Sequence, residues 1–126
     1  MNDTVTLTIP ADTAYVAMAR SVAASMSAHA DLPIDQLEDV RLAVDEALSQ
    51  VIADAPQPSQ VTCTYTVAAD GLAITVAGTS SSGVVPSTGT FSWIVMRALV
   101  DDVSADIVDD LLVLRLRISR AVPVQA

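Results

Sequence analysis

One segment constrains this chain more than any other. Between Asp35 and about Asp54, Leu37, Val40, Val44, Leu48 and Val51 recur at steps of three and four residues. That spacing gathers them into a single stripe along one side of a helix. Asp35, in the break "DLPID", is the expected N-cap, and "PQPSQ" ends the element. A helix so one-sided has to be covered by a second layer.

The cover is legible further along. In "QVTCTYTVAADGLAITVAG", Val61, Cys63, Tyr65 and Val67 share one face, as do Leu72, Ile74 and Val76. Two strands joined by the tight turn "AADG" follow, with Gly71 expected to take positive φ. Upstream, "TVTLTI" from Thr4 to Ile9 alternates strictly and reads as a strand with Val5, Leu7 and Ile9 inward, ended by Pro10. Asp12 or Thr13 then caps a helix reaching about Ala30, with Tyr15, Val16, Ala19, Val22, Ala23 and Met26 as its stripe. Thr79 to Thr90 is a long loop without periodicity. A helix from Phe91 to about Val100 precedes a strand at Val103 to Val108, an Asp109-Asp110 turn and a strand through Ile118. In that last strand Leu112, Leu114, Leu116 and Ile118 point inward, and Arg115 and Arg117 outward.

The order β-α-α-β-β-α-β-β predicts an α+β fold. It is a two-layer sandwich of a mixed, mainly antiparallel sheet with helices on one face. Residues 1–120 are expected to form one domain and 121–126 a flexible tail.

Bulk composition narrows the function. Fifteen acids against six bases leave a net charge of −9, which disfavours phosphate backbones, so no nucleic-acid partner is expected. The N-terminus lacks a signal-peptide pattern, and no apolar run approaches the roughly 20 residues of a membrane span; the expectation is a cytoplasmic protein with no membrane partner. The single cysteine, Cys63, rules out an internal disulfide and reads as a small core residue. His29, the only histidine, suits a helix C-terminus, and a hydrolytic triad is not supported.

Two segments carry a resemblance. "VRLAVDEALSQVI" resembles the N-box helix of the anti-sigma-factor serine kinases of the RsbW/SpoIIAB group, whose usual reading is near "LAVSEACTNAV". "GTFSWIVMRALVDDVSAD" is similar to that group's "GLGLFLIRALMDEV" region. The element order also matches the nucleotide-binding fold that the group shares with histidine kinases, the Hsp90 chaperone and DNA gyrase. The mycobacterial anti-sigma factors of this group look most alike.

The resemblance implies a site, and this chain departs from it. Glu46 falls on the general-base position and Gln50 on the position of the Asn that holds Mg²⁺, four residues on and on the same helix face. Gln is one methylene longer, which octahedral Mg²⁺ tolerates poorly. The motif Asp that takes the adenine amino group is replaced by Gly78, with Ser80 at the following glycine; no acid lies between Gly71 and Val100. Gly83 and Gly89 remain as candidates for a phosphate loop ahead of the third helix. Without the resemblance, Glu46 reads as a solvated helix residue.

The implied function is that of an anti-sigma-factor-like regulator. It would sequester a sigma factor stoichiometrically and be controlled by partner switching with an anti-anti-sigma factor. A homodimer is implied, with either no cofactor or weakly held ATP and Mg²⁺. Two alternatives stay open. One is an active serine protein kinase using Glu46 as base and Gln50 as metal ligand. The other is a regulatory module of the same fold that uses no nucleotide.

Overall fold

The structure, a computed structural model, describes residues 3–121. Strand β1 (Asp3–Pro10) leads through a single 3-10 turn (Thr13–Tyr15) into helix α1 (Val16–His29) and helix α2 (Ile34–Asp54). The hairpin β2 (Gln60–Ala68) and β3 (Gly71–Thr79) follows. Helix α3 (Phe91–Leu99) and the hairpin β4 (Asp102–Val108) and β5 (Leu111–Ser119) complete the fold. The five strands form one sheet in the order β1-β2-β3-β5-β4. Every neighbouring pair is antiparallel, so the sheet is not mixed. The crossover through α3 delivers the chain to the far edge as β4, and β5 returns beside β3.

Registry explains the layering. Ile9 pairs with Val61, Val61 with Gly78, and Gly78 with Leu112, which places one inward row across four strands. The parallel row of Leu7, Cys63, Val76 and Leu114 lies one step away on the same face. Against these rows α2 buries Val40, Ala43, Val44, Ala47, Leu48 and Val51 completely. Each Val or Leu so buried contributes about 1.5–3 kcal/mol relative to exposure. The opposite face carries Thr4, Thr6, Thr8, Thr62, Thr64, Thr66, Arg115 and Arg117, and no helix among the described residues covers it. Tyr65 ties the layers together: its hydroxyl donates to the Ala19 carbonyl of α1 at 2.9 Å.

Several local expectations need correcting. Asp35 does not cap α2; Pro33 holds the N-cap position without a side-chain bond, and Asp35 sits in the first turn, where its charge suits the helix dipole. Gly71 is not a positive-φ residue. It pairs with Ala68 across an Ala69–Asp70 turn, and the residue is needed for close approach: a Cβ there would lie 1.9 Å from the Ile118 carbonyl oxygen. Val5 is 42% exposed on β1, an edge strand of the sheet, and only Ile9 near the strand's end is buried. Of the tail expected at 121–126, Ala121 donates its amide to Gln36 at 2.8 Å, and 122–126 lie outside the described residues. Asp12 does cap the entry to the first helix, accepting from the Ala14 amide. The Asp109–Asp110 turn takes φ of 51° and 65°, the left-handed values of a tight hairpin.

Candidate functional site

The site is built on one side of α2. Glu46, Gln50 and Asp54 follow at intervals of four, so they stack along a single line roughly 12 Å long, beside the buried stripe. Opposite this line runs the connection from β3 to α3. Gln50 and Asp54, together with Ala53 from α2, Ser82, Val84 and Pro86 from the connection and Leu112 from β5, line a cleft of about 240 Å³. Leu112 is the cross-strand partner of Gly78, so the floor of the cleft adjoins the position where the motif Asp is expected.

Gly78 is fully enclosed. A Cβ added to it would come within 2.7 Å of Val51 Cγ1 and 3.3 Å of Val61 Cγ2, and both valines are wholly buried. The core occupies the space that a carboxylate would need. No rotamer of an Asp at position 78 escapes this, because the clash is at Cβ itself.

A carboxylate nevertheless reaches the cleft from α2. Asp54 accepts the Ser80 hydroxyl on one oxygen and the Ser82 amide at 3.1 Å on the other. Its own carbonyl takes the Ser81 amide at 2.8 Å. The Ser80 hydroxyl bond, opposed by partial burial and assisted by Ser82, holds the Asp54 carboxyl below its ordinary value. Ser80 Oγ also accepts the Gly83 amide at 2.9 Å, and Gly83 takes φ of 68° to close that small turn. Asp54 is therefore the anchor of the connection's first half. Sequence reasoning treated it only as the end of a helix; the signal available was its i, i+4 relation to Gln50.

Glu46 anchors the other half. Its Oε2 accepts the Ser92 hydroxyl at 2.8 Å, which fastens the first turn of α3 to the middle of α2. Thr90 caps α3 by accepting the Trp93 amide at 3.2 Å. Asp45, the neighbouring acid, points the other way and lies 3.0 Å from Arg20 Nε on α1. Adjacent acids on this helix thus serve different neighbours.

Of the residues singled out from sequence, the structure brings Gln50 and Ser80 to one end and leaves Glu46 at the other. Gly89 is exposed, its amide held by Ser87 Oγ at 3.2 Å, and a side chain there would meet only that hydroxyl. The donor set fits a triphosphate poorly. None of the cleft's lining residues is basic, the six cationic residues are all Arg, and a carboxylate faces inward. No group of three or more His, Cys, Asp or Glu placed to hold a metal occurs among the described residues. No helix among them is long and apolar enough to cross a membrane.

A single open sheet covered on one face by three helices, with a carboxylate-bearing helix facing a Gly- and Ser-rich connection, defines a class. Residues 9–118 match the family model of the histidine kinase-like ATPase domain, and the chain belongs to that family. Among individual proteins it is similar to the anti-sigma-F factor RsbW of two Mycobacterium tuberculosis strains. The identity is 29% over 99 residues, covering 79% of this chain. That stretch is 59% of those relatives' own length.

Proposed function

We propose that the chain sequesters a sigma factor by stoichiometric binding, with phosphoryl transfer weak or lost. An anti-anti-sigma factor would release the sigma factor by partner switching, and the working form would be a cytoplasmic homodimer. The similarity to two anti-sigma-F factors supports the sigma-binding half. The second half rests on one observation, the packing of Val51 over Gly78, which leaves no room for a base-recognising carboxylate on β3. Gln50 at the metal-ligand position and a cleft without cations point the same way.

Calorimetry with ATP and Mg²⁺ tests the nucleotide half. No binding tighter than about 100 μM, or roughly −5.5 kcal/mol, is expected; micromolar affinity would overturn it. Co-purification of the chain with each sigma factor encoded in the same genome tests the other half. Failure to retain any of them would remove the sigma reading.

A second reading has one observation in its favour. Glu46 accepts a serine hydroxyl at 2.8 Å, which is the contact a general base makes with a phosphoacceptor. Under that reading the chain is a serine protein kinase with an atypical nucleotide mode. Phosphate transfer from labelled ATP to a purified antagonist, abolished by Glu46→Gln, would establish it.

A further inference from the structure

The large apolar side chains left in water are unevenly placed. The open sheet face presents threonines and the ion pairs Arg115–Asp106 and Arg117–Asp70. The outward side of the helical layer presents Phe91 at 79% exposure, Ile94 at 57% and Leu42 at 54%; Ile34, Val84 and Met18 are comparably exposed at other places. On α3, Phe91, Ile94 and Ala98 recur at steps of three and four, so they form one stripe, opposite the buried Trp93 and Met96. Leu42 stands one turn before Glu46 on α2, and the Ser92–Glu46 bond brings the first turn of α3 against that helix. Leu42 and the α3 stripe thus stand on the outward surfaces of two helices that touch. Exposed apolar side chains on two touching helices are candidates for a contact surface.

The rim of the seam where they touch is acidic. Along its outward side α2 carries Asp35, Glu38, Asp39 and Glu46. The cation among them, Arg41, is already engaged with Glu38 at 3.3 Å. An apolar centre inside a negative rim complements an amphipathic helix whose flanks carry Arg or Lys. A second copy of this chain would bring the same acids to the same rim, and like charges would oppose it.

We propose that the α2–α3 seam is the docking surface for the sigma factor, which inserts an apolar helix face between basic flanks. The inference rests on the sigma-binding reading and is independent of whether the cleft holds a nucleotide. Phe91 and Ile94 act as the anchors, and the acids of α2 steer the approach.

The test uses the full chain and whichever purified sigma factor from the same genome it retains. Phe91→Asp with Ile94→Asp changes only exposed positions, so the thermal midpoint should stay near that of the parent. Binding is expected to weaken at least 30-fold, mostly through a faster off-rate, whereas Thr6→Asp on the open sheet face should leave it within twofold. Glu38→Gln with Asp39→Asn should slow association and flatten its salt dependence. Unchanged affinity in the Phe91/Ile94 variant, with the parent binding normally, would overturn the seam while sparing the sigma reading. A parent that binds no sigma factor would defeat that reading first. Conversion of a dimer to a monomer by the same variant, with sigma affinity intact, would assign the seam to a second copy and overturn the proposal.

Discussion

Val51 and Gly78 meet across the layers at a distance that leaves no place for a β-carbon. Gly78→Ala is expected to cost about 1–3 kcal/mol by overpacking, and Gly78→Asp more, since its carboxylate would also be buried without a partner. Denaturant midpoints check the order, and Val51→Ala should recover part of the Gly78→Ala loss in a double-mutant cycle. Gly78→Asp should gain no affinity for ATP. Asp54 offers a second test at the same scale. Its ionised form is favoured by Ser80 and Ser82, so its folded-state pKa lies below the unfolded value near 3.8. The stabilisation is therefore present above that value and is lost as pH falls through the lower, folded one. Carbon NMR of the carboxyl should show a depressed titration midpoint, which Ser80→Ala moves upward; an unmoved midpoint would exclude Ser80 as the main cause. Asp35 shows the limit of reading residues alone. The type and place were right for a cap, but the chain enters α2 through Pro33, and Asp35 lies two residues past that N-cap, inside the first turn.

At the scale of elements, α2 carries both the core and the site. Its apolar stripe was legible in full, because period alone assigns a helix and its buried side. Leu48→Ala should cost about 2–5 kcal/mol, read as a lower thermal midpoint, since Leu48 is wholly buried beneath the sheet. Its polar line of Glu46, Gln50 and Asp54 was only half legible. Glu46 and Gln50 stood out through the N-box resemblance, whereas Asp54 gained its role only when the connection folded back onto it. The connection itself, 80–90, was correctly read as irregular, but its anchoring was not. Two serines 12 positions apart, Ser80 and Ser92, attach it to α2 at either end. Nothing in a Ser/Gly/Thr run distinguishes an anchored hydroxyl from a solvated one.

For the molecule as a whole, Cys63 reports on cooperativity. Burial between the layers pushes its thiol up to about 11, against a smaller opposing effect from Tyr65, so almost none is thiolate near neutral pH. Labelling by a thiol reagent is expected to be slow in the native state and to track global unfolding as denaturant rises. Fast labelling under native conditions would mean that the α1–sheet interface opens locally. The layered α+β architecture, the element order, the hairpins and the inward faces were determined by the sequence itself. Alternation and helical period are local signals, and each is strong enough to be read within one element. The tertiary structure decided that every strand pair is antiparallel, that Val51 fills the space above Gly78, and that Asp54 and Glu46 clasp the connection through serines. Those features depend on which residues meet across 26 to 46 positions of chain, and a side chain's partner at that distance is set by packing and register, not by its neighbours in sequence.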